Sequence, residues 1–270
     1  MEEEEKMEEK MEEFNILKEK ILNEVDKHDK VFFLNMYGNF GDSLIREGGE
    51  SLLKDIKVNY IKINDNTNKY IGNWFKTLYG KNLLIVTGSG GYCEFWDSEH
   101  LIKSLALSKR FNQVIVLPST FQREVFPIKN VTFFARDFTS LKNVKGSIFC
   151  HDMAFYIQDK EILKKYKNKS PKFKHINMFR TDKESFIKYK ENDSYDLSKM
   201  GNDQSNVSEF FDFISEYEEV STDRLHVSIS CAMLNIKCNL YPNAYFKNKE
   251  IFKSSLKDRY PKIKFFESLN

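Results

Sequence analysis

From residue 31 onward the chain alternates short, nearly unbroken apolar runs with longer stretches whose apolar residues recur at three- and four-residue spacing. The runs VFFLNMY (31–37), VNYIKI (58–63), NLLIVTG (82–88), QVIVLP (113–118), VTFFAR (131–136) and SIFCHD (147–152) read as strands. β-Branched and aromatic residues fill them without leaving a polar face, which suits strands covered on both sides of a parallel sheet. Helices are expected between them at about 42–55, 97–110 and 138–144. The alternation predicts a Rossmann-like α/β unit.

A second alternation follows. The Lys-rich stretch EILKKYKNKSPKFKHIN (161–177) reads as an exposed helix and then a linker, with Pro171 marking the break. Strand HINMFR (175–180), helix SEFFDFISEYEE (208–219), strand VST (220–222), a helix over 225–234 and strand KCNLYP (237–242) come next, before an aromatic and basic tail. Ahead of both units, Met7, Met11, Phe14, Leu17, Ile21 and Val25 lay a narrow apolar stripe along one charged helix. Its first turns are almost wholly acidic, so its later half is expected to pack on the main body rather than to form a coiled coil. The chain thus divides into an N-terminal helix (1–28) and two Rossmann-like units (29–170 and 171–270). The units should face each other across a cleft, because ligands of such folds bind at the carboxyl ends of strands.

Composition removes some function classes. With 270 residues, 41% hydrophobic and 30% charged, the chain fits a globular protein with a real core. A formal net charge of +2 gives no electrostatic reason to expect nucleic acid as a partner. Cys93, Cys150, Cys231 and Cys238 lie far apart without a CxxC pair, so buried thiols in a reducing compartment are expected. The five histidines are dispersed away from carboxylates at ligand spacing, so no metal site is expected. No apolar run is long enough to span a bilayer and the first residues lack a secretion signal's apolar core, so a cytoplasmic location is expected. Peripheral membrane contact and homo-oligomerisation stay open.

The chemistry concentrates at strand ends. Asp223-Arg224-Leu225-His226 sits where strand 220–222 hands over to a helix. Free N–H groups at a helix N-terminus attract anions, Arg224 adds a bidentate fork, and His226 can transfer a proton near neutrality. Asp223 is the expected cap. After the first strand, Gly38-Asn39-Phe40-Gly41 allows a tight turn, and Asp42 or Ser43 can cap the next helix; this is neither GxGxxG nor a P-loop. The third strand runs into Thr87-Gly88-Ser89-Gly90-Gly91-Tyr92, whose amides suit an anion nest or a sugar, with a plain glycine turn as the alternative. Later strands end in Ser119-Thr120, Arg136-Asp137, His151-Asp152 and Arg180-Thr181-Asp182. Three arginines at such positions point to a small polyanionic substrate, although any one of them alone fits a surface ion pair.

The ordered set GNFGDSLI, TGSGGY, LPST, ARD, HDMAFYI, FRTDKE and STDRLH resembles the polysaccharide pyruvyl transferase family over roughly residues 31–245. The resemblance implies a two-domain, glycosyltransferase type B-like fold. It also implies transfer of pyruvate from phosphoenolpyruvate, as donor co-substrate, to a sugar of a glycan or glycan precursor. The product is a ketal, phosphate is released, and no further cofactor is required. Arg224 and His226 match the family's R-L-H motif and so take the catalytic roles at the donor site, with Arg180 on the R-x-D arginine of the same half. Gly41, Asp42, Gly90 and Gly91 fall where the family faces its acceptor. Together with Ser89, Ser119, Arg136 and Asp152 they complete the expected substrate-binding set, and Asp42 or Asp152 is a candidate base for an acceptor hydroxyl. The chain departs from the family at Val227, where Gly usually follows R-L-H, at Ser119, where Gln is common, and at His151, where Pro is common. These departures bear on acceptor identity more than on donor chemistry. The alternatives are a nucleotide-sugar glycosyltransferase of the same fold and a non-catalytic sugar- or anion-binding relative.

Overall fold

The computed structural model describes residues 12–64, 76–96, 109–157, 161–166, 169–185 and 194–268. Most of the expected 97–110 helix, and Met7 and Met11 of the N-terminal stripe, lie outside these residues. The first set of apolar runs forms a six-stranded sheet of β1 (Lys30–Asn35), β2 (Ile61–Asn64), β3 (Asn82–Val86), β4 (Gln113–Ser119), β5 (Val131–Ala135) and β6 (Ile148–Phe149). The spatial order is β2-β1-β3-β4-β5-β6, and every neighbouring pair is parallel. The order reverses once, at β1, so the loops leaving β1 and β3 diverge and open a crevice at the carboxyl edge.

The second sheet is also parallel, in the order β10-β9-β8-β7, from β7 (Phe173–Met178), β8 (Tyr217–Thr222), β9 (Lys237–Leu240) and β10 (Ile263–Phe265). Two expectations are corrected here. The helix expected over 208–219 stops at Ile214, and Tyr217 to Glu219 belong to β8, paired with Phe173 to His175. Tyr217 packs on Phe173 and Phe213, and Glu219 accepts from Asn239 at 2.7 Å, so sheet pairing overrides local helix preference. The Lys-rich stretch gives only one turn of helix, Glu161–Lys164, and the strand expected from His175 begins at Phe173, two residues after Pro171, as the edge strand β7, whose first residues are exposed.

The helices are α1 (Glu12–Val25), α2 (Asp42–Asp55), α3 (Phe138–Asn143), α4 (Glu161–Lys164), α5 (Val207–Ile214), α6 (Leu225–Met233) and α7 (Lys247–Ile251), the last running into a π-helical turn, Phe252–Leu256. Successive strand residues serve opposite faces of the six-stranded sheet. Phe32, Leu34, Leu84, Val86, Val114, Val116 and Phe133 build one core with Phe111, Phe121 and Val144. Phe33, Ile85, Ile115, Leu117 and Phe134 face a larger core that continues through α1, α2, α5 and α6 to Val220 and Leu240 of the second sheet. Close packing sets Gly48 of α2, because a Cβ there would overlap the carbonyl oxygen of Met153. From α1, Phe14, Leu17 and Ile21 are buried in the larger core, as the stripe predicts.

Candidate active site

A cavity of about 620 Å³ opens where the carboxyl edge of the first sheet meets the second. The turn after β1 contributes Tyr37, Gly38, Asn39 and Asp42, the turn after β3 contributes Ser89, Gly90 and Gly91, and Arg136 enters from the end of β5. Opposite lie Arg180, Asp182 and Glu184 after β7, Arg224, Leu225 and His226 at the start of α6, and Lys247 of α7. Eight of the eleven expected site residues therefore converge on one space. Gly41, Ser119 and Asp152 do not line it. Ser119 is fully buried and its Oγ accepts from the Ser89 N–H at 3.0 Å.

His226 is backed by a buried ion pair. Asp152 is fully buried, pairs with Arg136, and accepts from the Ala154 N–H at 2.8 Å. Burial alone would raise its carboxyl pKa, but the Arg136 charge and the proximity of His226 outweigh burial and hold it well below the ordinary value. His226 Nε2 faces Asp152 Oδ2 at 3.7 Å and has no hydrogen-bond partner. That separation is too long for a hydrogen bond, so the carboxylate acts on the ring only through its charge. On the other side, a Cβ on Gly41 would come within 2.6 Å of His226 Nδ1. Glycine leaves that nitrogen clear, which is what Gly41 contributes from behind the wall.

The arginine forks are already engaged. Arg224 donates Nε and Nη2 to the two oxygens of Asp196 at 3.0 and 2.6 Å, and Nη1 pairs with Asp182 at 2.9 Å. Arg180 holds Asp182 through Nε and Nη2 at 2.8 and 3.0 Å and Glu184 through Nη1 at 2.6 Å. Arg224 thus lines the cavity without the open bidentate fork that the sequence led us to expect. Arg136 differs: Nε donates to Thr120 Oγ1 at 2.9 Å and Nη1 pairs with Asp152, while Nη2 has no hydrogen-bond partner among the described residues.

Three local expectations change. Asp223 does not cap α6; Arg224 holds the N-cap position, and Asp223 Oδ1 accepts the Arg180 N–H at 2.7 Å, tying the end of β7 to the end of β8. Neither Asp42 nor Ser43 caps α2: Asp42 bends back to accept the Asn39 N–H at 2.8 Å, and the Ser43 hydroxyl donates to Phe40 O at 2.6 Å. The glycine turn after β3 is not an open nest, because the Gly91 N–H is held by Ser89 Oγ at 2.8 Å. Sequence reasoning missed Glu184, Asp196 and Lys247. The four cysteines are buried and free, and among the described residues no group of three His, Cys, Asp or Glu side chains is placed for a metal ion. No described helix is long and apolar enough to cross a membrane.

Parallel α/β sheets meeting at an ion-paired cavity, with a histidine at a helix N-terminus, define the class of protein. The chain belongs to the polysaccharide pyruvyl transferase family, whose model matches residues 39–245. It is also similar to a solved structure of a functionally uncharacterised protein from Klebsiella pneumoniae, with 26% identity over 92% of this chain and 96% of that one and a TM-score of 0.73. A comparison with curated proteins gave no match. The family match takes in all eleven expected site residues and leaves out Lys247.

Proposed function

We propose that this protein transfers pyruvate from phosphoenolpyruvate to two hydroxyls of a sugar in a glycan or glycan precursor, releasing phosphate. The observation that carries the reading is His226 on the cavity wall at the start of α6, with the ionised Asp152 behind it and Arg136 holding that charge. The enol carbon takes a proton to become a methyl group, and the first acceptor hydroxyl attacks the neighbouring carbon. The carbon–oxygen bond to phosphate then breaks, and the second hydroxyl closes the ketal. Of the two hydroxyl protons released overall, one balances the new methyl group and the other leaves with phosphate. His226 Nδ1 is the proton-exchanging atom, and Asp152 stabilises the imidazolium. Arg136, Arg224 and the N–H groups opening α6 offset the donor's negative charge. The glycine turns after β1 and β3 face the acceptor. Family membership supports the transfer of pyruvate to a glycan. The two sheets read as the Rossmann-like units of a glycosyltransferase type B-like molecule divided near residue 170, and no cofactor beyond the donor is needed.

Phosphate release from phosphoenolpyruvate over a panel of galactosides and N-acetylhexosamines tests the reaction. His226→Ala should lower turnover by about 100-fold or more, the usual scale for losing a general acid or base, with an unchanged melting temperature. Turnover near the wild-type rate in that variant would remove His226 from the mechanism. Thermal stabilisation by nucleotide sugars and not by phosphoenolpyruvate would favour glycosyl transfer instead.

A further inference from the structure

Cations gather on the edge of the first sheet that lies opposite the cavity. Lys30 opens β1, and Lys57, Lys81, Arg110, Lys129 and Lys145 stand just ahead of β2, β3, β4, β5 and β6 in turn. All six strands run parallel, so these positions share the amino edge. The segments 76–82, 109–112, 126–130 and 142–146 meet there and hold seven Lys or Arg and no Asp or Glu. The whole chain carries a formal charge of only +2, so this is a local excess. Lys57, Lys81, Lys129 and Lys145 are exposed and make no ion pair among the described residues.

Two turns on the same edge hold apolar side chains out in solvent. Leu78 and Tyr79 are 60% and 78% exposed, and Phe126 is 82% exposed. Neither Tyr79 nor Phe126 packs its ring on another among the described residues. Both turns are built firmly. Lys30 Nζ donates to Tyr79 O at 3.3 Å, Asn82 Nδ2 donates to Thr77 O at 2.9 Å, and Asp29 Oδ2 accepts the Lys81 N–H at 2.8 Å. Gly80 closes this turn in the left-handed conformation, at φ 88°. The second turn is fixed by the Val125 N–H on Asn143 O at 2.9 Å and the Val131 N–H on Ile128 O at 3.0 Å. The first turn leads into β3 and the second into β5, two strand spacings away, which places the apolar tips roughly 10 Å apart across the sheet.

We propose that the amino edge of the first sheet docks on an anionic lipid surface, with Leu78, Tyr79 and Phe126 entering the headgroup region and the lysines ahead of the strands resting on lipid phosphates. Charge complementarity and the apolar tips together select this partner. A soluble polyanion would satisfy the lysines but would leave the tips in water, whereas a bilayer interface accepts amphipathic aromatic rings and attracts cations at the same depth. The cavity opens at the other end of the same strands, and the seven residues of β4 span about 23 Å. Docking by the amino edge therefore holds the cavity mouth away from the bilayer and open to solvent. This surface is independent of the reaction at the cavity.

The experiment is co-sedimentation of the full chain with vesicles of phosphatidylglycerol and with vesicles of phosphatidylcholine, with melting curves as a control for folding. At about 100 mM salt the chain should partition onto the anionic vesicles at least about tenfold better than onto the neutral ones, and most of that preference should vanish by about 500 mM. Tyr79→Ser combined with Phe126→Ser should lower partitioning by at least about tenfold, the scale of returning two aromatic side chains to water. Lys81→Glu, Lys129→Glu and Lys145→Glu together should lower it by at least about a hundredfold, and they leave both apolar tips in place if the serine pair disturbs its turns. Lys174→Glu, Lys237→Glu and Lys264→Glu make the same change of net charge on exposed positions of the second sheet and should leave partitioning within about threefold of wild type. An equal loss in that control set would reduce the effect to net charge and overturn the docking edge. Equal partitioning onto both kinds of vesicle, or none onto either, would overturn the lipid assignment. So would retention on heparin without vesicle binding, which would mark the edge as a site for soluble polyanions.

Discussion

Asp223 shows how one buried carboxyl can serve a site without touching its substrate. It is fully buried, Oδ2 has no partner, and burial pushes its pKa up to about 7 despite the Arg180 N–H and the Arg180 and Arg224 charges. Its ordinary value is 3.8, so the folded state binds the proton more tightly than the unfolded chain does. Stability from this group is complete at low pH and is lost as pH rises from about 4 to about 7. Asparagine keeps an acceptor for Arg180 and cannot ionise. In urea melts, Asp223→Asn should match wild type near pH 4 and pull ahead by on the order of a few kcal/mol at pH 8. A constant difference at every pH would show that the carboxyl titrates normally. Arg136, Arg180, Arg224 and His226 were legible in the sequence because strand-end positions in a parallel sheet share one edge. Their partners were not: Asp196 is 28 residues from Arg224 and Glu184 is 63 from Lys247, and nothing local records which carboxylate meets which cation.

Among the elements, α1 is the clearest case of a pattern read correctly and a purpose hidden. Its apolar stripe predicted packing, and Leu17 is fully buried. Its relation to the site was invisible in the sequence. Phe14 packs on His151 and Tyr156, and Glu13 pairs with His151 at 3.3 Å, so the helix braces the segment that presents Asp152. Leu17→Ala should cost about 2–5 kcal/mol in urea melts, and hydrogen exchange should quicken through α1 first. A loss below about 1 kcal/mol would place the helix outside the cooperative core, since removal of a packed leucine costs more. Helix α2 was legible to the residue because its periodicity and its packing agree. The 217–219 stretch was not, because helix-forming residues there are claimed by sheet partners distant in sequence. β10 reads as tail for a related reason: three residues are too few to show alternation.

At the scale of the molecule, two sheets share one continuous core. Phe40, after β1, meets Phe210 of α5 edge-on at 5.0 Å, and Asp203 accepts from both Asn35 Nδ2 and the Gly38 N–H. Contacts of this kind should couple the halves into one folding unit. Phe210→Ala should cost about 3–5 kcal/mol and lower exchange protection in β1 and β8 together. Loss confined to β8 would show that the halves unfold separately. Four cations at the cavity between them each meet a carboxylate, with Arg136 on Asp152, Arg180 on Asp182, Arg224 on Asp196 and Lys247 on Glu184. A pocket balanced in this way projects little field beyond its own walls, and a charged donor must be captured by contact rather than drawn in from a distance. Raising ionic strength from about 50 to about 300 mM should therefore change kcat/KM for phosphoenolpyruvate by less than about threefold, where a steered encounter would fall steeply.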